Sequence, residues 1–271
     1  MHGSRQSAPA WTSRDRPLQW PPRYRSQPTR TKQGHPMNAL LICSGGFDSV
    51  TLAYRLAAEQ SLGALLTFDY GQRHRKEIDA ARLAAQRLAV PHLVMDIGQI
   101  GRQLSGSALT DDIAVPHGHY SEETMKVTVV PNRNAIMLTI AFGVAASRGL
   151  DTVALAVHGG DHFIYPDCRP DFIRLFGEMQ ARALDGVAEV ALLAPYVNTD
   201  KTEIARDAAR FGVPVADTWS CYEGGDLHCG RCGTCVERIE AMVLAGTPDP
   251  TPYKDSQYWR DAVARVNACT P

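Results

Sequence analysis

Apolar and polar positions alternate along this chain in blocks, and the blocks have two different periods. Ala39 to Ile42 is a short unbroken apolar run, the signature of a strand buried on both faces. A small polar stretch follows. Then Val50, Leu52, Ala53, Leu56 and Ala57 recur at helical spacing. Gly63 to Phe68 reads as a second strand. A helix with Ile78, Ala81, Ala85 and Leu88 on one stripe comes next and is stopped by Pro91. His92 to Ile97 is a third strand. Residues 98–130 have weak periodicity and many Gly, Ser, Asp and His, so a long loop is expected there. Pro131-Asn132-Arg133-Asn134 opens a strongly apolar helix through Ala146. Val153 to Val157 is a fourth strand, a helix starts at about Pro170, and Val190 to Leu193 is a fifth strand. Asp200 and Glu203 have the spacing of a capping box, and Gly212 ends that helix. Strands alternating with helices predict an α/β fold, a doubly wound parallel sheet. Ligands in such sheets bind beyond the carboxyl ends of the strands, and the polar clusters of this chain fall there.

The first of those clusters joins strand one to a helix: Leu41-Ile42-Cys43-Ser44-Gly45-Gly46-Phe47-Asp48-Ser49-Val50-Thr51. Strand, glycine turn and helix N-terminus present free backbone N–H groups and a positive dipole end to an anion. Ser44 and Ser49 add hydroxyls. There is no G-x-x-x-x-G-K-[ST] and no G-x-G-x-x-G here, so neither the Walker loop nor the dinucleotide fingerprint applies.

Length and charge narrow the classes. The chain has 271 residues and a formal net charge of −1, which gives no general case for nucleic-acid binding. No apolar run reaches the ~18 residues of a membrane span. A cytoplasmic enzyme without membrane or direct nucleic-acid partners is the expectation. Residues 1–36 differ from the rest: Arg5, Arg14, Arg16, Arg23, Arg25, Arg30 and Lys32 stand against Asp15 alone, with no core pattern and no signal-peptide apolar region. They read as a disordered basic extension, with an RNA-touching arm as the alternative and Met37 as a candidate translation start. The expected division is 1–36, an α/β domain over 37–215, and a C-terminal metal segment with its tail over 216–271.

Seven cysteines are present, and Cys221-x7-Cys229-x2-Cys232-x2-Cys235 gathers four of them. Four thiolates satisfy tetrahedral zinc and leave no open position, so a structural ion, one per chain, is expected. An iron–sulfur cluster is the rival, since C-x2-C-x2-C also occurs in ferredoxins. His228 could replace one cysteine. Cys43 reads as an ordinary buried thiol and Cys269 as a tail residue, and Cys168 is a nucleophile only if a base stands beside it.

The Ser44-Gly45-Gly46-Phe47-Asp48-Ser49 loop resembles the pyrophosphate loop of the ATP pyrophosphatases. Together with Phe68-Asp69-Tyr70-Gly71-Gln72-Arg73-His74, Pro131-Asn132-Arg133-Asn134, Tyr165-Pro166-Asp167-Cys168-Arg169 and Cys221 through Cys235, it makes the chain resemble the 7-cyano-7-deazaguanine synthases of the QueC family over roughly Met37 to Ala241. The resemblance implies an adenine nucleotide α-hydrolase-like, Rossmann-like domain. It also implies a C–N-forming ligase of queuosine biosynthesis. 7-Carboxy-7-deazaguanine, ammonia and ATP would give the nitrile, by adenylation first of a carboxylate and then of an amide. Leu41 through Thr51 would bind ATP. Asp48 would help to hold Mg²⁺, and Arg133 and Lys201 would contact phosphate, Lys201 having a solvated helix start as its plain alternative. Asp167 would accept from a guanine-like edge and Arg169 would pair with the substrate carboxylate, unless it forms a surface ion pair. Tyr165 or Phe163 would stack on the base or simply pack. His74 and His162 read as polar loop residues before proton handlers. A homodimer is expected. The rival functions are a tRNA-modifying enzyme of thiolase type, a paralogue acting on another acceptor, and a nucleotide-binding zinc protein without activity.

Overall fold

The computed structural model describes residues 37–121 and 125–269; the basic extension expected over 1–36 lies outside the described residues. At its centre is β1 (Ala39–Ile42), every residue of which is buried. Beside it lie β2 (Leu62–Asp69) and β4 (Thr152–Ala154), with β3 (His92–Asp96) and β5 (Ala191–Leu193) outside them, in the order β3-β2-β1-β4-β5. All four pairings are parallel, with Ala39 opposite both Leu62 and Thr152.

The period of two in β1 sorts its side chains to two cores. Leu40 and Ile42 face α3 (Arg133–Arg148) and α4 (Pro170–Ala183), where Leu138, Phe142 and Phe176 cover them. Leu41 and Cys43 face the other layer: α1 (Phe47–Ala58), α2 (Lys76–Leu88) and α5 (Lys201–Arg210), through Leu52, Leu56, Ala81 and Ala205. Burying one such Leu or Phe contributes about 1.5–3 kcal/mol, which is why the helices clamp the sheet from both sides. Chain reversal of strand order between β1 and β4 opens a crevice at their carboxyl ends.

Several expected boundaries shift. The fourth strand stops at Ala154 rather than Val157, because β5 ends at Leu193 and Pro195 follows, leaving Ala156 and Val157 without a ladder. Helix α3 starts at Arg133, since Asn132 adopts a left-handed φ of 60°. Asp200 accepts from the Glu203 N–H at 3.0 Å, the cap its position suggested. Two helices not foreseen complete the chain: α6 (Gly233–Leu244), which begins between two of the clustered cysteines, and α7 (Tyr258–Cys269). The segment Lys126–Arg148 has the length and composition of a membrane span, which the sequence reading did not anticipate. Yet α3 within it lies against the sheet, with Met137, Leu138, Ala141, Phe142 and Ala145 buried.

Candidate active site

The turn between β1 and α1 forms one wall of a cleft at the carboxyl ends of the strands. Gly45 has a φ of 92°, and a Cβ there would come within 1.8 Å of the Glu77 carbonyl oxygen, so the loop can nest against α2 only with glycine. Gly46 caps α1, and its N–H donates to Ser44 Oγ at 3.1 Å. Ser49 Oγ donates to the Gly46 carbonyl at 3.1 Å and lies 3.2 Å from Ser44 Oγ. Ile42, Cys43, Ser44, Phe47, Asp48 and Ser49 line the cleft. Leu41, Val50 and Thr51 stand behind it: Leu41 and Val50 fill the core, and Thr51 Oγ1 donates back to the Phe47 carbonyl at 2.8 Å.

Helix α5 starts beneath this loop and sends Lys201 into it. Lys201 Nζ lies 3.1 Å from Asp48 Oδ2 and donates to Glu237 Oε2 at 2.8 Å. Burial pulls the ammonium down, but Asp48, Glu237 and Asp161 outweigh it and its pKa is raised, so Lys201 stays charged. Burial also pushes the Glu237 carboxyl up, against the pull of Lys201 and His158. His158 is nearly fully buried; its Nδ1 accepts from the Gly160 N–H at 3.2 Å, and Nε2 faces Asp161 at 3.6 Å, Asp48 at 3.8 Å and Glu237 at 3.9 Å. Asp48 Oδ1 is buried and has no hydrogen-bond partner among the described residues, which suits an oxygen ligand of a hard cation. Sequence reasoning assigned no role to Glu237, His158 or Asp161. His158 and Asp161 stand in a polar run at a strand end, which was a signal; Glu237 carried none.

The far wall is built of phenols around a guanidinium. Arg133 Nη1 donates to Tyr70 Oη at 3.2 Å, and Tyr165 and Tyr222 also line the cleft. Burial opposes the charge of Arg133, but Tyr70, Tyr222, Tyr165 and Asp167 outweigh it and its pKa is raised. Burial pushes Tyr70 up to about 12 and raises Tyr120, Tyr165 and Tyr222 as well, so these hydroxyls remain donors at neutral pH. Tyr165 hydrogen-bonds Thr128 at 2.7 Å and Tyr120 donates to Asp161 at 2.7 Å.

The other expected substrate residues sit differently. Asp167 accepts from the Asn134 backbone N–H at 3.0 Å, capping α3 from outside the cleft lining. Arg169 is exposed and donates to the His162 carbonyl at 2.8 Å. Phe163 is exposed. Cys168 lines the cleft, but burial and the nearby carboxylates raise its thiol pKa: its Sγ accepts from Asn134 Nδ2 at 3.3 Å and faces Asp167 Oδ1 at 4.0 Å. His74 is buried in the cleft wall rather than in a solvated loop.

Cys221, Cys229, Cys232 and Cys235 converge with all four Sγ atoms within 4.8 Å of one another, all buried. The N–H groups of Cys229, Arg231 and Cys232 donate to these sulfurs at 3.2–3.3 Å. Hydrogen bonding to Cys221 and Cys229 raises the pKa of Cys232 and of Cys235, so the set holds protons that a metal ion would displace. Four sulfurs and no oxygen fit a soft or borderline metal in a closed site. His228 is not among the ligands: its ring lies 4.3 Å from that of Trp219, and Nε2 accepts from the Ser220 N–H at 3.1 Å. The metal segment is tied to the loop wall at two points. Trp219 N–H donates to the Gly45 carbonyl at 3.0 Å, and Glu237 projects from the same helix turn as Cys235. Arg238, fully buried, holds the segment together: it reaches Val215, Thr218, Ser220, Asp249 and Thr251 and lies over the Phe47 ring at 5.3 Å.

Comparison with known proteins places the chain in a family. The profile of the queuosine biosynthesis protein QueC matches residues 38–246. A 7-cyano-7-deazaguanine synthase from Brucella anthropi is 65% identical over 232 residues, 86% of this chain and 100% of that protein. One from Rhizobium meliloti is 67% identical over 223 residues, 82% of this chain and 94% of that protein. Among solved structures, an NMN synthetase from Francisella tularensis is 14% identical with a TM-score of 0.43, covering 85% of each chain. The QueC profile spans most of the chain and the relatives are matched along nearly their whole length: the protein belongs to the QueC family of queuosine biosynthesis proteins.

Proposed function

We propose that this chain is a ligase that converts 7-carboxy-7-deazaguanine and ammonia to 7-cyano-7-deazaguanine with ATP. The support is one cleft shared by an anion-binding loop with a charged lysine and by a donor-rich wall around Arg133. The chemistry requires both halves. A carboxylate is a poor electrophile, because hydroxide is a poor leaving group. Transfer of AMP to its oxygen gives a mixed anhydride that ammonia can attack. The amide oxygen must leave as well, so a second adenylation follows in the same site.

In this scheme the Ser44–Ser49 loop holds the phosphates that depart as pyrophosphate, with Leu41, Val50 and Thr51 as its support. Lys201 and Arg133 neutralise charge as it develops. Asp48 would hold Mg²⁺, which when bound spreads charge on the phosphates. Tyr165 and the phenols beside it form the acceptor's wall. Asp167 and Arg169 keep a substrate role only if the Tyr165–Arg169 turn moves inward when substrate binds. Cys221, Cys229, Cys232 and Cys235 would hold one structural zinc. A cytoplasmic homodimer acting without nucleic acid, with residues 37–215 as nucleotide domain and 216–271 as metal segment, completes the proposal.

The test is incubation with ATP, ammonia and 7-carboxy-7-deazaguanine, with products read by mass spectrometry. Nitrile, AMP and pyrophosphate are expected. ADP and phosphate in place of AMP would remove the α–β cleavage. Turnover of a different acid alone would move the function to another acceptor.

A further inference from the structure

Among the groups that line the cleft, one histidine is buried with a ring nitrogen left over. His74 is 3% exposed. Its Nε2 lies 3.3 Å from Glu77 Oε2. The other oxygen of that carboxylate accepts from Gln72 Nε2 at 2.9 Å. Gln72 is itself fixed, donating to the Phe68 carbonyl at 3.1 Å and accepting from the Tyr70 N–H at 2.9 Å. With a carboxylate at Nε2, the ring proton sits there and Nδ1 carries the lone pair. That Nδ1 is buried and has no hydrogen-bond partner among the described residues. Leaving such an atom unpaired is costly, a penalty that a residue kept only for packing avoids. The ring lies 5.1 Å from that of Tyr222, and His74 and Glu77 line the same cleft as Ser44, Asp48 and Arg133. Gly45 packs against the Glu77 carbonyl, so the pair is next to the phosphate loop.

We propose that His74, oriented by Glu77, is the base that removes protons from nitrogen in the reaction proposed above, on which this assignment rests. Nitrogen enters as ammonia with three hydrogens and ends as a nitrile nitrogen with none. Three protons therefore leave one atom in one cleft. In the first, the ammonia lone pair forms the C–N bond while the C–O bond to AMP breaks and AMP takes that electron pair. The acyl-ammonium product gives one proton to His74 Nδ1 and becomes the amide. The amide oxygen then attacks the α phosphorus of a second ATP, and pyrophosphate leaves with the P–O electron pair. The adenylated iminium loses a second proton to give a neutral imidate. The third proton leaves as the C–O bond to AMP breaks and the C≡N bond closes. His74 releases each proton to solvent before accepting the next.

Several other side chains of the cleft are less suited. Lys201 is held charged and Arg133 has no lone pair to give. The tyrosines and Cys168 have raised pKa values and so stay protonated. His158 already uses Nδ1 for the Gly160 N–H.

Adenylation of the acid needs no N–H base, and this separates the steps. His74→Gln is expected to keep acid-dependent exchange of labelled pyrophosphate into ATP, measured without ammonia. It should lose nitrile formation by about 100- to 10,000-fold, with loss of the acid limb of the pH–rate profile. Glu77→Gln keeps a hydrogen-bonding side chain but removes the carboxylate that fixes the ring's tautomer and orientation. Nitrile formation should fall about tenfold while pyrophosphate exchange is kept. Nitrile formation by His74→Gln at the wild-type rate overturns the assignment. So does a parallel fall of exchange and nitrile formation, which marks a structural role. If His74→Gln does not fold, nitrile formation at the wild-type rate by Glu77→Gln overturns it alone. A wild-type chain that makes no AMP from ATP and the acid overturns the proposed function instead.

Discussion

Asp48 stands at the head of α1 with one carboxylate oxygen on Lys201 and the other unpaired among the described residues. Removing its charge, as in Asp48→Asn, is expected to leave the fold and metal content intact. Pyrophosphate release should fall about 100-fold, on the order of 3 kcal/mol at the transition state, as for loss of one preorganised polar contact. Ser44→Ala is expected to act the same way to a smaller degree. Wild-type turnover in both variants would detach the loop from the chemistry. The cysteines outside the metal set give a second check at this scale. Burial pushes Cys43 up to about 11 and raises Cys168 further. At pH 8 a thiol of pKa 11 is thiolate about once in 1,000 molecules, and only thiolate alkylates readily. Neither residue should take up iodoacetamide in the folded chain, as peptide mass spectrometry would show. Rapid labelling of Cys168 would return it to the list of nucleophiles. What sequence could tell at this scale depended on locality. Ser44, Gly45, Gly46, Asp48 and the four cysteines announce themselves by spacing within one loop. Glu237 meets Lys201 from a different element, with His158 and Asp161 brought alongside from the loop after β4, and no local pattern records that meeting. Asp167 was legible as a hydrogen-bond acceptor, but the N–H it accepts belongs to Asn134 of its own chain.

Among the elements, α6 does the most with the fewest residues. Its first turn carries Cys235, Glu237 faces Lys201, and Arg238, itself fully buried, turns away into a set of oxygens. Arg238→Ala would strand the largely buried Asp249 carboxylate without its cation. The expected cost is about 3–5 kcal/mol of unfolding free energy, measured by chemical denaturation of the metal-loaded protein. A loss below about 1 kcal/mol would mean that the contacts are replaced by water. Helix α6 escaped the sequence reading because its apolar positions overlap the metal motif. For α7 a signal existed: Asp255 Oδ1 accepts from the N–H groups of Gln257 and Tyr258 at 3.0 Å, the arrangement of a helix N-cap. The central strand β1 was legible because a strand buried on both faces must be apolar throughout. The ends of the strands were not, because an end depends on where the neighbouring strand stops.

Across the whole molecule, the metal segment and the nucleotide wall behave as one body, joined through Trp219 to Gly45 and through Glu237 to Lys201. One zinc per chain is expected by elemental analysis. Cys→Ser at any of Cys221, Cys229, Cys232 or Cys235 should lower melting temperature and turnover together, since metal binding here is also folding free energy. Full metal content and stability in one such variant would remove that cysteine from the set; a brown protein containing iron would replace zinc by a cluster. The strand order carries a further consequence, for synthesis on the ribosome. The central strand β1 has Thr152 opposite Ala39, 152 − 39 = 113 residues later in the chain. At about 5–20 residues per second, that partner emerges roughly 6–23 s after β1 does. For that interval one edge of an apolar strand waits uncovered, the kind of edge that recruits other chains. The nascent chain is therefore exposed to aggregation or chaperone capture during that one window, which closes when β4 docks.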